Sequence, residues 1–197
     1  MKDLQEFIGE SIVLEKKITD GVEITLPNYE AWDNGDLAKA EPWKTFKFPV
    51  AKYVIYRDAY HGDALHFATI DDMVRNISMF SDDFEDFDPK KDIIYASDSF
   101  KETIEWYMEK LGIDIKKAKE EFEKREDKDD TFEDILFDLY DDKLNDVCDS
   151  PWFFANYGEA TDENEKDYCD GSEKWLDMNF MKEKPQEWFN SMSENWG

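Results

Sequence analysis

Asp130, Asp134, Asp138, Asp142 and Asp146 recur every four residues. On a helix each such step rises about 6 Å, and the row drifts slowly around the surface. Glu133 and Asp141 add charge beside it, and Lys143 is the single base between residues 130 and 147. Like charges four apart destabilise a helix by roughly 0.2–0.5 kcal/mol per pair, and Asp is a poor helix former. A segment kept for stability alone would interleave Lys or use Glu. Carboxylates spaced along a rigid rod resemble a strand of phosphates, although duplex DNA is denser, with one charge per about 1.7 Å of axis. The chemistry on offer is electrostatic: a negative surface for a cationic partner. Two other acidic stretches would have to widen that surface, and they supply Asp82, Asp83, Glu85 and Asp86, then Asp162, Glu163 and Glu165. Aromatic side chains near the acids are candidate anchors for the centre of such an interface: Trp152, Phe153, Tyr157, Trp188 and Trp196.

Other chemistries find less support. His61 and His66 are the only histidines, with Asp63 between them. Five residues apart, they do not share a helix face as metal ligands at i and i+4 do; residues 60–63 read as a hairpin turn. No Gly-rich phosphate loop or nucleophile elbow is evident, and carboxylates are too abundant for any pair to mark acid–base catalysis. The expectation is a protein that is not an enzyme and needs no cofactor or metal. The oxygen-rich stretches 127–130 and 162–170 lack the alternating acids, central Gly and distal Glu of a calcium loop, which leaves at most weak cation binding.

The whole chain points the same way. Its 197 residues carry 50 Asp and Glu against 24 Lys and Arg, a net charge of −26. A small domain ordinarily carries a charge of about 2 to 8 in magnitude, and a larger surplus opposes compaction by self-repulsion. That charge disfavours direct contact with nucleic acid or an anionic membrane and favours Lys- and Arg-rich partners. Aromatics make up 16% of the residues, far too many for a disordered acidic tail. The 21 Lys, 3 Arg and large aromatics read as a mesophile's composition rather than a salt-adapted one. Cys148 and Cys169 make neither a disulfide framework nor a metal spacing. With no apolar leader or spanning run, the expected place is a bacterial cytoplasm.

The charge is unevenly spread. Residues 1–70 hold 12 acids and 8 bases, and the remainder holds 38 and 16. The expected fold class is α+β: a β-rich part over residues 1–90 with a small antiparallel sheet, then an acidic helix-rich part over 91–197, with a boundary weak enough that one domain is also open. Residues 11–18 and 22–26 read as paired strands, residues 28–43 as a loop or a short irregular helix, and 46–60 as a strand that, with Pro49 inside it, either lies at a sheet edge or starts after a break. Thr69 caps a helix to Phe80, with Met73, Ile77 and Phe80 on its inner face. Residues 81–89 form an acidic-aromatic loop and 92–96 a buried strand. Ser99 and Glu102 make a capping box for a helix ended by Gly112. A charged helix covers 115–125, after a break the amphipathic helix covers 131–147, and 152–157 reads as a strand.

Three patches carry a resemblance. They are the strand GVEITLP (21–27), the strand 53–58 followed by the short helix IDDMVRN (70–76), and the strand IIYASD opening residues 93–111. With the acidity, they make the chain similar to the DNA-mimicking anti-defence proteins of phages and mobile elements, and among these to the antirestriction protein ArdA. The resemblance implies an elongated, often dimeric α+β protein that occupies the DNA groove of a restriction–modification enzyme. The long N-terminal lead, residues 43–48 and the Trp-rich end depart from that pattern, so a CRISPR nuclease is an equal candidate target. An acidic chaperone for a basic protein remains the alternative.

Overall fold

The computed structural model describes residues 21–27, 41–58, 64–80, 84–125, 130–144, 161–169 and 173–193. Two antiparallel sheets and a set of short helices make an α+β fold. Strand β1 (Val22–Pro27) pairs with β2 (Pro42–Phe48), placing Ile24 opposite Phe46 and Val22 opposite Phe48. The second sheet is three-stranded, with β3 (Tyr53–Asp58) between β4 (Ala64–Thr69) and β5 (Ile93–Ser97). Tyr53, Val54, Ile55 and Tyr56 are all 0–1% exposed. An uninterrupted apolar run suits a central strand covered on both faces.

Two sequence expectations shift here. Of the two readings of residues 46–60 the break holds and the edge strand does not: the chain leaves β2 at Phe48, passes Pro49 and re-enters as β3, the central strand of the other sheet. Trp43, expected in a loop, lies in β2, which begins at Pro42, where the lack of an N–H is tolerated. The strand expected at 11–18, the loop 28–40, the turn at 60–63 and the strand at 152–157 lie outside the described residues, and the partner found for β1 is β2.

Helix α1 (Ile70–Met79) is capped by Thr69, whose hydroxyl oxygen accepts the Asp72 N–H. Met73, Val74 and Ile77 are fully buried. Phe80 is not on that face: it is the C-cap residue with φ −122° and is 45% exposed, because the helix has already ended there. A short turn of helix, α2 (Pro89–Asp92), leads into β5. Helix α3 (Phe100–Leu111) follows the expected capping logic with one change. Ser99 Oγ accepts the Glu102 N–H at 3.2 Å, but the Glu102 carboxylate returns to the Ser97 hydroxyl, which in turn accepts the Ser99 N–H. Ser99→Ala should lower the unfolding free energy by about 1 kcal/mol, measured by urea denaturation.

Gly112 ends α3 at φ +60°, the left-handed conformation that glycine adopts at least cost. Lys143 donates to its carbonyl at 2.8 Å, a cation placed where the helix dipole is negative. Helices α4 (Ile115–Lys124) and α5 (Phe132–Leu144) pack as a hairpin, followed by α6 (Asp162–Cys169), a 3-10 turn (Glu173–Leu176), α7 (Met178–Glu183) and α8 (Pro185–Ser193). The last helix returns to the first strand: Gln186 Oε1 accepts the Thr25 N–H at 2.9 Å, and its Nε2 donates to the Thr25 carbonyl at 3.1 Å. A side-chain amide thus satisfies a strand edge that would otherwise invite another chain. The buried side chains form one cluster from Ile24 to Met192, so a boundary near residue 90 crosses a continuous core.

Candidate partner-binding surface

Helix α5 carries the aspartate row. Its start is a reciprocal cap: Thr131 Oγ1 accepts the Asp134 N–H, and the Asp134 carboxylate accepts from both the Thr131 N–H and its hydroxyl at 2.7 Å. These bonds hold the Asp134 carboxyl below its usual pKa. The inner face is Ile135, Leu136 and Leu144, all 0–2% exposed, with Phe132 and Leu139 packed at its edge. Tyr140 is also buried. Its hydroxyl donates to the Asp114 carbonyl and accepts the Asp114 N–H, fastening α5 to the start of α4.

The row is neither as long nor as free as the spacing suggests. Tyr140 has φ −138° and ψ 20°, so α5 bends there. The four-residue repeat holds as a straight row only ahead of that bend. Asp142 follows it, and Asp146 lies outside the described residues, as do residues 145–147 of the expected helix. Arg125, just past α4, reaches two members of the row: its guanidinium contacts Asp130 at 3.1 Å and Asp138 at 2.5 Å. One cation bridges two carboxylates eight residues apart, and the Asp138 hydrogen bond pushes the Arg125 pKa up. Planar, five-donor Arg is suited to such bridging in a way that Lys is not. Asp134 is thus a capping group and Asp130 and Asp138 are ion-paired. Asp141 is exposed.

The other acidic candidates divide. Glu85 and Asp86 are exposed on a turn whose flanking Phe84 and Phe87 are 8% and 5% exposed and meet edge-on at 6.0 Å. The aromatic members of that loop are its roots in the core and the acids are its tip. Asp162 and Glu163 are exposed in the first turn of α6, where acids favour the helix dipole. Glu165 faces inward instead and accepts a hydrogen bond from the Tyr53 hydroxyl. Asp82 and Asp83 lie outside the described residues.

Of the candidate anchors, Trp152, Phe153, Tyr157 and Trp196 also lie outside. Trp188 is not a surface group: it is 0% exposed and its indole N–H donates to the Trp175 carbonyl at 2.7 Å. Among the described residues, the large apolar side chains most open to solvent are Phe80, Phe122 and Phe137. Phe137 sits among the α5 acids, and Phe122 meets Phe132 edge-on at 6.0 Å across the α4–α5 hairpin.

His66 stacks on Tyr56 with ring centroids 5.0 Å apart, as β3–β4 pairing dictates, and His61 and Asp63 lie outside the described residues. Among the described residues no three His, Cys, Asp or Glu side chains are placed to hold a metal ion, and no helix is long and apolar enough to cross a membrane. Sequence reading missed Arg125 and the inward turn of Glu165. The first had a faint signal, since Arg125 is one of only three arginines and stands among acids. The second had none, because Tyr53 is 112 residues away. No family model matches the chain, and no curated protein or solved structure matches it either.

Proposed function

We propose that the chain is a DNA mimic: a folded polyanion that enters the cationic groove of a bacterial DNA-binding protein and keeps DNA out. The observation that carries this reading is a net charge of −26 on a chain with a continuous aromatic-rich core. Its exposed acids stand on folded supports, with Asp138 and Asp141 on α5, Asp162 and Glu163 on α6, and Glu85 and Asp86 on a turn rooted by two buried phenylalanines. Fixed carboxylates lose little freedom on docking, which favours affinity. Complementary fields speed encounter and make it salt-sensitive. The similarity to antirestriction proteins adds a class of target, a defence nuclease of the restriction–modification or CRISPR type.

The internal pairing narrows which acids to test. Neutralising Asp134 would remove a helix cap as well as a charge. Asp138→Asn, Asp141→Asn and Asp142→Asn leave the Thr131–Asp134 cap intact, and Asp138→Asn also opens the Arg125 bridge to that residue. In affinity capture from a bacterial lysate at low salt, the wild-type chain should retain DNA-binding proteins. They should be released by duplex DNA, with affinity falling roughly tenfold or more between about 50 and 200 mM salt. The triple variant should retain less. A captured protein that still binds DNA at full strength beside the chain would favour an acidic chaperone instead.

A further inference from the structure

Arg125 is the first residue past α4, with extended backbone, and its N–H still donates to the Phe122 carbonyl. Its side chain crosses to α5, where Nη1 donates to Asp130 Oδ2 at 3.1 Å and Nη2 to Asp138 Oδ2 at 2.5 Å. Two different carboxylates thus each take one nitrogen of the same planar group. An ammonium is a single compact charge and cannot be shared in that way. Asp138 lies on the helix itself, and Asp130 directly precedes the Thr131–Asp134 cap. The elements that hold the two acids apart therefore do not depend on Arg125.

The seat is open and its occupant is lightly held. The Arg125 side chain is 43% exposed and that of Asp138 57%. Ion pairs so open to water contribute little to stability, so one guanidinium can be exchanged for another at small cost. The surroundings favour the exchange. One guanidinium does not balance two carboxylates, and Asp134 and Asp141 stand exposed on the same helix. The place stays negative with Arg125 seated and attracts a further cation. An aromatic face also adjoins it: Phe122, 40% exposed, meets Phe132 edge-on at 6.0 Å. Guanidinium groups stack on such faces.

We propose that Asp130 and Asp138 form a binding site for an arginine of the partner, which Arg125 fills in the free chain and vacates on binding. Arg125 is then an internal competitor, and the site prefers arginine to lysine. The proposal rests on the DNA-mimic reading only for the sign of the partner's charge.

Fluorescent oligoarginine and oligolysine peptides of equal length, titrated with the full chain at low salt, test it. Arg125→Gln should bind the arginine peptide roughly threefold or more tightly than the wild type does, the gain expected when an exposed ion pair no longer competes. The lysine peptide should gain less. Arg125→Lys keeps the net charge but loses the fork, and should also tighten the arginine peptide. Lys116→Gln, at an exposed site on α4, makes the same charge change as Arg125→Gln and should shift either peptide by less than about twofold. In an Asp130→Asn/Asp138→Asn background, replacing Arg125 should bring no gain. The proposal is overturned if Arg125→Gln behaves as Lys116→Gln does, if Arg125→Lys binds as the wild type, or if both peptides gain equally. Weaker binding by Arg125→Gln would also overturn it, and would show that Arg125 orders the acids for the partner. Failure of the DNA-mimic reading is seen elsewhere, as a lysate capture that retains no DNA-binding protein, and leaves these peptide affinities as they are.

Discussion

Trp188→Ala is expected to remove about 3–5 kcal/mol of stability, the range for emptying a buried aromatic site. The side chain is 0% exposed, flanked on α8 by the buried Phe189 and Met192, and its N–H satisfies the Trp175 carbonyl. Alanine would leave a cavity and remove the donor that the Trp175 carbonyl accepts from. α8 also carries Gln186, which closes the β1 edge, so loosening α8 weakens the first strand as well. A guanidinium melt reads the loss as a lower midpoint at unchanged slope. Trp188→Phe should lie between the two, because it restores most of the volume but not the donor. A wild-type midpoint for Trp188→Ala would mean that this indole is not part of the core.

The second large effect concerns pH. Burial raises the Asp71 carboxyl from its ordinary 3.8 to about 6. The unfolded chain therefore gives up this proton at lower pH than the folded one. The stabilising contribution is complete below about pH 4 and is lost as pH rises through about 6, so the folded protein at pH 7 carries a penalty on the order of 2–3 kcal/mol. Asp71→Asn should be more stable than the wild type at pH 7.5 by up to that amount, less whatever the helix N-terminus gains from a carboxylate. The advantage should shrink steadily toward pH 4.5. General relief of charge repulsion on acidification also stabilises the chain, but it acts on both proteins, so the difference between two urea titrations isolates Asp71. A constant difference across that range would show that Asp71 titrates as an ordinary surface carboxyl.

Local features were legible from the chain because their causes are local. Thr69 and Ser99 cap helices within three residues of themselves, and Gly112 ends one through its own φ. Pro49 signalled a break, although nothing nearby revealed that the strands on either side join different sheets. What escaped was tertiary. The bend in α5 falls at Tyr140, whose hydroxyl is tied to Asp114, 26 residues earlier. Arg125 quenches part of a row that looks fully solvated when only the helix is considered. Trp188 and Glu165 read as surface groups because they stand in acidic, polar segments; their partners, Trp175 and Tyr53, determine otherwise. The acidity itself needs no fold to be seen, but which acids remain available to a partner is a property of the fold.

These pairings sharpen what the acidic surface must do. With Asp130 and Asp138 shared by one guanidinium, the mimicry cannot rest on α5 alone. The turn at Glu85 and Asp86 and the first turn of α6 have to contribute, and the salt dependence of binding should reflect contacts from all three.

The most direct measurement is a displacement titration. A DNA-binding protein captured by the chain is purified, loaded with a fluorescent duplex, and titrated with the wild-type chain at about 50 mM salt, an ionic strength at which such contacts are strong. The account predicts complete release of the duplex at near-stoichiometric chain, with Asp138→Asn/Asp141→Asn/Asp142→Asn needing a higher concentration. A stable complex holding the duplex and the chain together would contradict it.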